Sequence, residues 1–371
     1  MATNTQTLER LFAAGDIDIA RGALFDRVPG SLGGGPEGGP DFDRVEGMLL
    51  GLAIGDALGR PTEAQLPERR AAAHGELRDY LPTRHSDGLP IGLPSDDSQM
   101  AFWTLEQLIE SGRLRPERLA RLFATETIYG IGKSVLQFVH HARSGGVPWY
   151  RCGVKSAGNG ALMRIAPVLV PHLREGTTEL WVDTALAAML THNDSASIAS
   201  CLAFVDILRQ LMAMDAPPPA DWWPATWIAA TRDLEVDPTY ESRAPHYADF
   251  QGPLWRFVER AIAEAEAESW STLEACNAWY SGAYLLETVP SALYILMRHA
   301  DDPEEAIVRA VNDSRDNDTT AAIVGAAVGA LHGHDALPER WLQGLTGRTR
   351  RDDDGHMFAL LAEAGRIFGD G

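Results

Sequence analysis

Cysteine is nearly absent from this 371-residue chain: Cys152, Cys201 and Cys276 are far apart and odd in number. They exclude a disulfide framework and any zinc spacing, and they fit a reducing compartment. Basic charge is scarce as well, with 32 Lys and Arg against 52 Asp and Glu, for a net charge of −20. That excess repels polyanions, so nucleic-acid binding is not expected. Long apolar runs are missing too. The longest, "AAIVGAAVGAL" over 321–331, is too short and too small-residued to span a bilayer. The N-terminus "MATNTQTLERLFAAGDIDIA" lacks the basic start and apolar stretch of a secretion signal. These absences predict a cytoplasmic protein with no membrane partner.

Strand patterns are just as sparse. Only "APVLVPHL", 166–173, reads locally as a strand, and Pro167 and Pro171 argue against a central one. The strand–helix alternation that a parallel sheet needs is not found. Helical period dominates instead. Val45, Met48, Leu49, Leu52 and Ala53 form one buried stripe, and Asp56 falls on the same stripe. An inward-facing carboxylate must be paired, hydrogen-bonded or metal-associated. Helical patterns recur at 100–111, 116–128, 179–191, 196–213, 254–268, 279–298, 303–311, 319–332 and 356–368. With 45% hydrophobic and 23% charged residues, a sizeable core is available. An all-α fold is expected.

Composition shifts near the start of the chain. Residues 6–24 predict a short amphipathic helix with Leu8, Leu11, Phe12 and Ile19, weakened by Gly15. "PGSLGGGPEGGPDFD", 29–43, cannot sustain a helix or strand and reads as a flexible tether. Residues 1–41 are therefore taken as an N-terminal extension with its linker, and 42–371 as the main domain. The extension is either a disordered tail or a segment that touches a partner. "MDAPPPADWWPATW", 214–227, reads as a surface excursion between helices, with peptide binding as the functional alternative.

Two acidic clusters carry hydroxyls and stand where helices begin. "SDDSQM", 95–100, holds Ser95, Asp96 and Asp97, while "DNDT", 316–319, holds Asp316, Asp318 and Thr319. In an extended loop residues two apart point the same way, so Asp316 and Asp318 can converge on one point. Gly325 and Gly329, one turn apart, leave a smooth face that another helix can approach. Capping accounts for one Ser, Thr or Asp at each helix start. Two clusters of paired carboxylates exceed that need, and such groups repel unless a cation intervenes. Oxygen donors without His or Cys suit magnesium or manganese rather than zinc. On spacing alone, capping and metal binding both stand. A third element, "KSAGNGALMRIAP" at 155–167, contains a Gly158–Asn159–Gly160 turn. Its backbone N–H groups suit a phosphate or ribose, although most such turns are only turns. His192, in "THND" at 191–194, reads by default as a packed or capping histidine.

These elements, in this order, resemble the ADP-ribosylglycohydrolase family. The matching pieces are "GMLLGLAIGDALGRPTEA" (47–64), "SDDSQMAFWTLEQL" (95–108), "SAGNGALMRIAP" (156–167), "TH" (191–192) and "DNDTTAAIVGAAVGALHG" (316–333). They cover the chain from about residue 42 to its end. The resemblance implies a compact multi-helix bundle with two divalent ions, magnesium or manganese, in a central cleft. The implied ligands are Ser95, Asp96, Asp97, Asp316, Asp318 and Thr319, with Ser95 standing where relatives often have threonine. Glu63 falls where several relatives carry a glutamate on a mobile flap; its plain reading is an exposed loop carboxylate. Ser156, Gly158, Asn159 and Gly160 would line the ADP-ribose site, with His192 approaching from the next helix. Met163 and Arg164 would brace that loop, and Asp56 would be structural rather than a ligand. Ser314 and Arg315 stand where many relatives have two glycines, which puts the substrate in question more than the metals.

The activity so implied is hydrolysis of the N-glycosidic bond between ADP-ribose and a protein side chain, arginine first. Asp97, Asp316 and Glu63 are the implied catalytic carboxylates, acting on an ADP-ribosylated protein. The alternative is an immunity or interaction protein. In that reading residues 1–40 bind an ADP-ribosyltransferase toxin, the acidic "GDIDIA" facing a basic cleft, with or without hydrolysis.

Overall fold

A computed structural model describes residues 2–32, 41–236 and 239–369 of the chain. The helices begin with α1 (Asn4–Ala14), α2 (Phe42–Gly59), α3 (Pro67–His74), α4 (Asp96–Ser111), α5 (Pro116–Thr125) and α6 (Lys133–Arg143). Next come α7 (Glu179–Met189), α8 (Ser195–Leu211), α9 (Trp222–Thr231), α10 (Leu254–Ala267) and α11 (Thr272–Ala278). The last are α12 (Leu285–His299), α13 (Pro303–Asp313), α14 (Asn317–His332), α15 (Glu339–Gly344) and α16 (His356–Ala364). Among the described residues the only strands are Tyr240–Glu241 and Gln251–Gly252, paired antiparallel. The all-α expectation holds. Among the described residues no helix is long and apolar enough to cross a membrane.

The centre of the fold is a pair of helices in backbone contact. Positions four apart share a helix face, so Gly47, Gly51, Gly55 and Gly59 make a bare stripe along α2. A Cβ added at Gly51 would lie 2.2 Å from the carbonyl oxygen of Gly325 on α14. One at Gly55 would lie 2.1 Å from the Ala321 oxygen, and one at Gly59 2.4 Å from the Asp318 nitrogen. Residue numbers rise along α2 as they fall along α14, so the two run antiparallel. The contact brings the C-terminal end of α2, carrying Asp56, against the N-terminal end of α14, carrying Asp318. Both helices are buried on nearly every side, as helices without a polar face must be.

Three expectations are corrected by packing. Residues 166–173 do not form a strand: Ala166–His172 is a 3-10 helix, with Ala166 to Val170 buried. Proline fixes φ and removes a donor, which suits short helical turns better than a ladder. The stretch at 214–227 is not a surface excursion throughout, because α9 starts at Trp222 and buries Trp223 and Trp227, one turn apart. Pro224 does not break this helix, because it sits in the first turn, where its missing N–H has no helical partner to lose. The pattern read at 279–298 starts later, at Leu285, after left-handed Tyr280 and Ser281 break the chain behind α11.

The segment ahead of the linker is packed. α1 ends at Gly15, which takes the left-handed φ of +67°, rather than running on towards residue 24. Leu8, Leu11, Ile17, Ile19, Leu24 and Phe25 are buried in the main core. Asn4 donates to Asp183 Oδ1 on α7 at 2.7 Å, and Trp181 Nε1 donates to the Arg27 carbonyl at 2.7 Å. Asp16 and Asp18 are paired with Arg151 and Lys155. The glycine-rich run expected as a tether lies mostly outside the described residues. Leu11 is fully buried, so Leu11→Ala is expected to cost about 2–5 kcal/mol. Urea unfolding checks this, and an unchanged midpoint would mean the segment is detachable.

Candidate active site

Capping can be tested directly at the two acidic clusters. Ser95 occupies the N-cap of α4 and Asp316 that of α14, yet neither side chain makes a capping hydrogen bond. The carboxylates are turned elsewhere. Asp56, wholly buried at the end of α2, accepts from Ser95 N (2.8 Å), Ser95 Oγ (2.7 Å), Ser98 N (3.1 Å) and Ser98 Oγ (2.5 Å). These four bonds clamp the first turn of α4 onto α2. That agrees with a structural Asp56, but its carboxylate also lies among those of the cleft.

Carboxylate oxygens of Asp56, Asp97 and Asp318 all lie within 4.8 Å of one another, as do those of Glu63, Asp316 and Asp318. Asp318 belongs to both groups. Asp97 Oδ1 is buried without any hydrogen-bond partner, a costly state for a carboxylate oxygen. Burial pushes Asp96 up to about 7, aided by the charge of Asp56, and pushes Asp316 up to about 6. Burial and then neighbouring carboxylates raise Asp97 and Asp318 well above the usual carboxylate range. An all-oxygen acidic donor set with an orphaned carboxylate oxygen fits a hard divalent cation. Ser95 Oγ, 3.3 Å from Asp97 Oδ2, and Thr319 lie at the same clusters. Asp96 lies at the rim, beside Gly130.

The raised values carry a pH consequence. An acid whose folded pKa exceeds the ordinary 3.8 gives its stabilising contribution below that value and loses it as pH rises through the folded one. Cation-free protein should therefore lose stability from about pH 4 to about pH 7 through Asp96 and Asp316. A bound cation replaces those protons. The gap in melting temperature between magnesium and chelator is expected to be wide at pH 8 and small at pH 5. Equal gaps would contradict a cation at these carboxylates.

The Gly158–Asn159–Gly160 turn is tied to the second cluster through Asn159. Its Nδ2 donates to Asp316 Oδ2 at 2.6 Å and to Thr288 Oγ1 at 3.0 Å. Ser197 Oγ donates to the carbonyls of Ser156 and Gly158, and Ser134 Oγ to Ser156 Oγ at 2.8 Å. His192 lies under this loop, only 1% exposed. A Cβ at Gly160 would sit 2.9 Å from the His192 Cε1 atom, so the glycine makes room for the ring. Burial, and then the Arg164 charge, push His192 down to about 3, leaving it neutral. Arg164 braces the same layer, donating to Thr191 Oγ1 at 2.8 Å and to the Ala187 carbonyl.

Glu63 follows a 3-10 turn, Arg60–Thr62, and is partly exposed over the cleft. Ala64, at φ +62°, donates its N–H to the Arg315 carbonyl and pins the loop there. Ser314 turns inward to the Ala310 carbonyl, whereas Arg315 stacks on Tyr280 with 3.9 Å to the ring centroid. Two site residues escaped the sequence reading. Thr288 partners Asn159, and no local pattern marks it. Arg60 pairs with Glu63 and Asp318; its only signal was a basic residue three places before Glu63. A cavity of about 690 Å³ opens between α9 and α10 but contains none of these groups. Chemistry, rather than volume, locates the site.

Known proteins resemble the chain over most of its length. A family model described as ADP-ribosylglycohydrolase matches residues 39–367. The chain is 26% identical over 330 residues to the ADP-ribosyl-(dinitrogen reductase) glycohydrolase of Rhodospirillum rubrum, covering 87% of this chain and 97% of that protein. It is 26% identical over 320 residues to ADP-ribosylarginine hydrolase Tri1 of Serratia proteamaculans, covering 83% of this chain and 77% of that one. A solved structure titled as an ADP-ribosylglycohydrolase-related protein complex superposes with a TM-score of 0.64 at 26% identity. It covers 88% of this chain and 98% of that chain.

Proposed function

Because the chain belongs to the ADP-ribosylglycohydrolase family, we propose that it hydrolyses the N-glycosidic bond joining ADP-ribose to an arginine side chain. The observation that carries this is the pair of three-carboxylate groups sharing Asp318, with Asp97 Oδ1 unpartnered between helices α2, α4 and α14. The names of the Rhodospirillum and Serratia relatives, which specify an ADP-ribosylated protein and ADP-ribosylarginine, support the substrate class. The ligand roles go to Asp96, Asp97, Asp316 and Asp318, with Ser95 and Thr319 contributing hydroxyls, Asp56 bordering the inner cation position and Glu63 within reach of the outer one.

Two magnesium or manganese ions there would supply Lewis-acid charge to the ribose hydroxyls and lower the pKa of a water. Asp97 orients the attacking water and accepts its proton, which passes to the departing guanidine nitrogen as the water oxygen bonds to the anomeric carbon. Asp316 does the corresponding work from α14, its carboxylate held in place by Asn159. As the glycosidic bond breaks, the anomeric carbon becomes oxocarbenium-like and the nearby carboxylates stabilise its charge. Glu63 positions the ribose from above. Ser156, Gly158, Asn159 and Gly160 form the wall against which the ADP-ribose lies, with His192 supporting that wall from beneath.

The test is release of ADP-ribose from an arginine-modified protein with magnesium, compared with Asp97→Ala and with a serine-modified substrate. Wild type should release the arginine-linked group, and Asp97→Ala should do so at least about a hundredfold more slowly. Equal rates for both proteins would remove Asp97 from the reaction. Release from serine alone would overturn the arginine assignment. The toxin-binding reading of residues 1–40 gains nothing from the packing, since Asp16 and Asp18 already have basic partners within the chain.

A further inference from the structure

Arg60 is the basic side chain that the acidic cleft holds within itself. It follows α2 directly, its main-chain N–H bonded to the Asp56 carbonyl. Its guanidinium pairs with Glu63, and Nη1 lies 4.0 Å from Asp318 Oδ2. On the opposite side it abuts Gly130, which has φ of +81°. A Cβ there would lie 2.9 Å from Arg60 Nη2 and 3.0 Å from Asp96 Oδ1. Arg60 therefore stands between Glu63, Asp318 and Asp96, with its side chain 34% exposed. Among the described residues, no other basic side chain forms an ion pair with Asp96, Asp97, Asp316 or Asp318.

The two carboxylate groups are consequently unlike. The inner group, Asp56, Asp97 and Asp318, is deeply buried and includes the unpartnered Asp97 oxygen. The outer group, Glu63, Asp316 and Asp318, has two of its three carboxylates facing the Arg60 guanidinium. We propose that Arg60 is a positioning residue that makes the two cation positions unequal, competing with the outer cation for Glu63 and Asp318. This rests on the two-cation reading of the site. The inner ion is held firmly. The outer ion exchanges, and its entry releases Glu63 from Arg60, so loading of the outer position is coupled to freedom of the loop above the substrate. A neutral residue at 60 would hold both ions tightly.

Manganese titration of the full chain, with free ion read by electron paramagnetic resonance, tests this without reference to activity. Wild type is expected to bind two ions with dissociation constants at least tenfold apart. In Arg60→Gln, which keeps hydrogen-bond donors and loses the charge, the weaker constant should tighten at least tenfold while the tighter one stays within threefold. Arg60→Lys, which keeps the charge, should retain the unequal pair. If Arg60→Gln does not survive chelator, it is handled in magnesium throughout and the constants are read by manganese displacement. An unchanged or weakened outer constant in Arg60→Gln overturns the role of Arg60 and leaves the two-cation reading intact. Wild type that binds no manganese overturns both.

Discussion

Asp318→Asn is expected to lower kcat/KM at least about a thousandfold, roughly 4 kcal/mol of transition-state stabilisation. Asp318 is the carboxylate common to both acidic groups, so one substitution weakens both cation positions. Asparagine keeps the size and one oxygen but removes the negative charge that draws a hard cation. Misfolding can be separated from lost chemistry because the sign of the stability change is informative. Asp318 is buried and costly to ionise in the folded, cation-free state, so the neutral amide relieves that cost. In chelator the variant should therefore melt no lower than wild type, while magnesium should raise the melting temperature of wild type alone. A variant still stabilised by magnesium and still active would remove Asp318 from the site.

Gly51→Ala is expected to destabilise the protein by about 3 kcal/mol or more, even though alanine favours a helix by about 1 kcal/mol over glycine. The added methyl would meet the Gly325 carbonyl oxygen at 2.2 Å, and backbone cannot swing aside as a side chain can. The helices must part instead. Parting α2 from α14 also moves Gly59 from Asp318, whose backbone nitrogen would lie 2.4 Å from a Cβ at 59. Cation affinity should fall together with stability. Denaturant unfolding and a manganese titration on the same sample check both, and a stable variant with normal affinity would show that α2 and α14 tolerate separation.

Much of the site was legible because its parts are short and local. "SDDS" and "DNDT" each place two carboxylates at a helix start, and too many oxygens for a cap is a local fact. The stripe Gly47, Gly51, Gly55 and Gly59 is equally legible at a spacing of four, like its partner at Gly325 and Gly329. Hydrophobic period located most helices, and it faltered where proline sits inside a first turn, as at Pro224. It faltered again at left-handed Tyr280 and Ser281, which hold off until Leu285 a helix that the pattern starts at 279.

The sequence by itself determined the helical class, the two carboxylate clusters, the Gly158–Asn159–Gly160 turn and the family resemblance. Each depends on neighbours within a turn or a short loop, where chain connectivity sets the geometry. Only the tertiary structure decided that Asp318 joins both acidic groups, that Asn159 reaches Asp316, and that Arg60 stands among Glu63, Asp318 and Asp96. It also decided that the stretch from Asn4 to Arg27 packs against α7 and the main core. Those contacts join residues far apart in the chain. They arise from the close approach of α2 and α14, and no local pattern carries a distance between two helices.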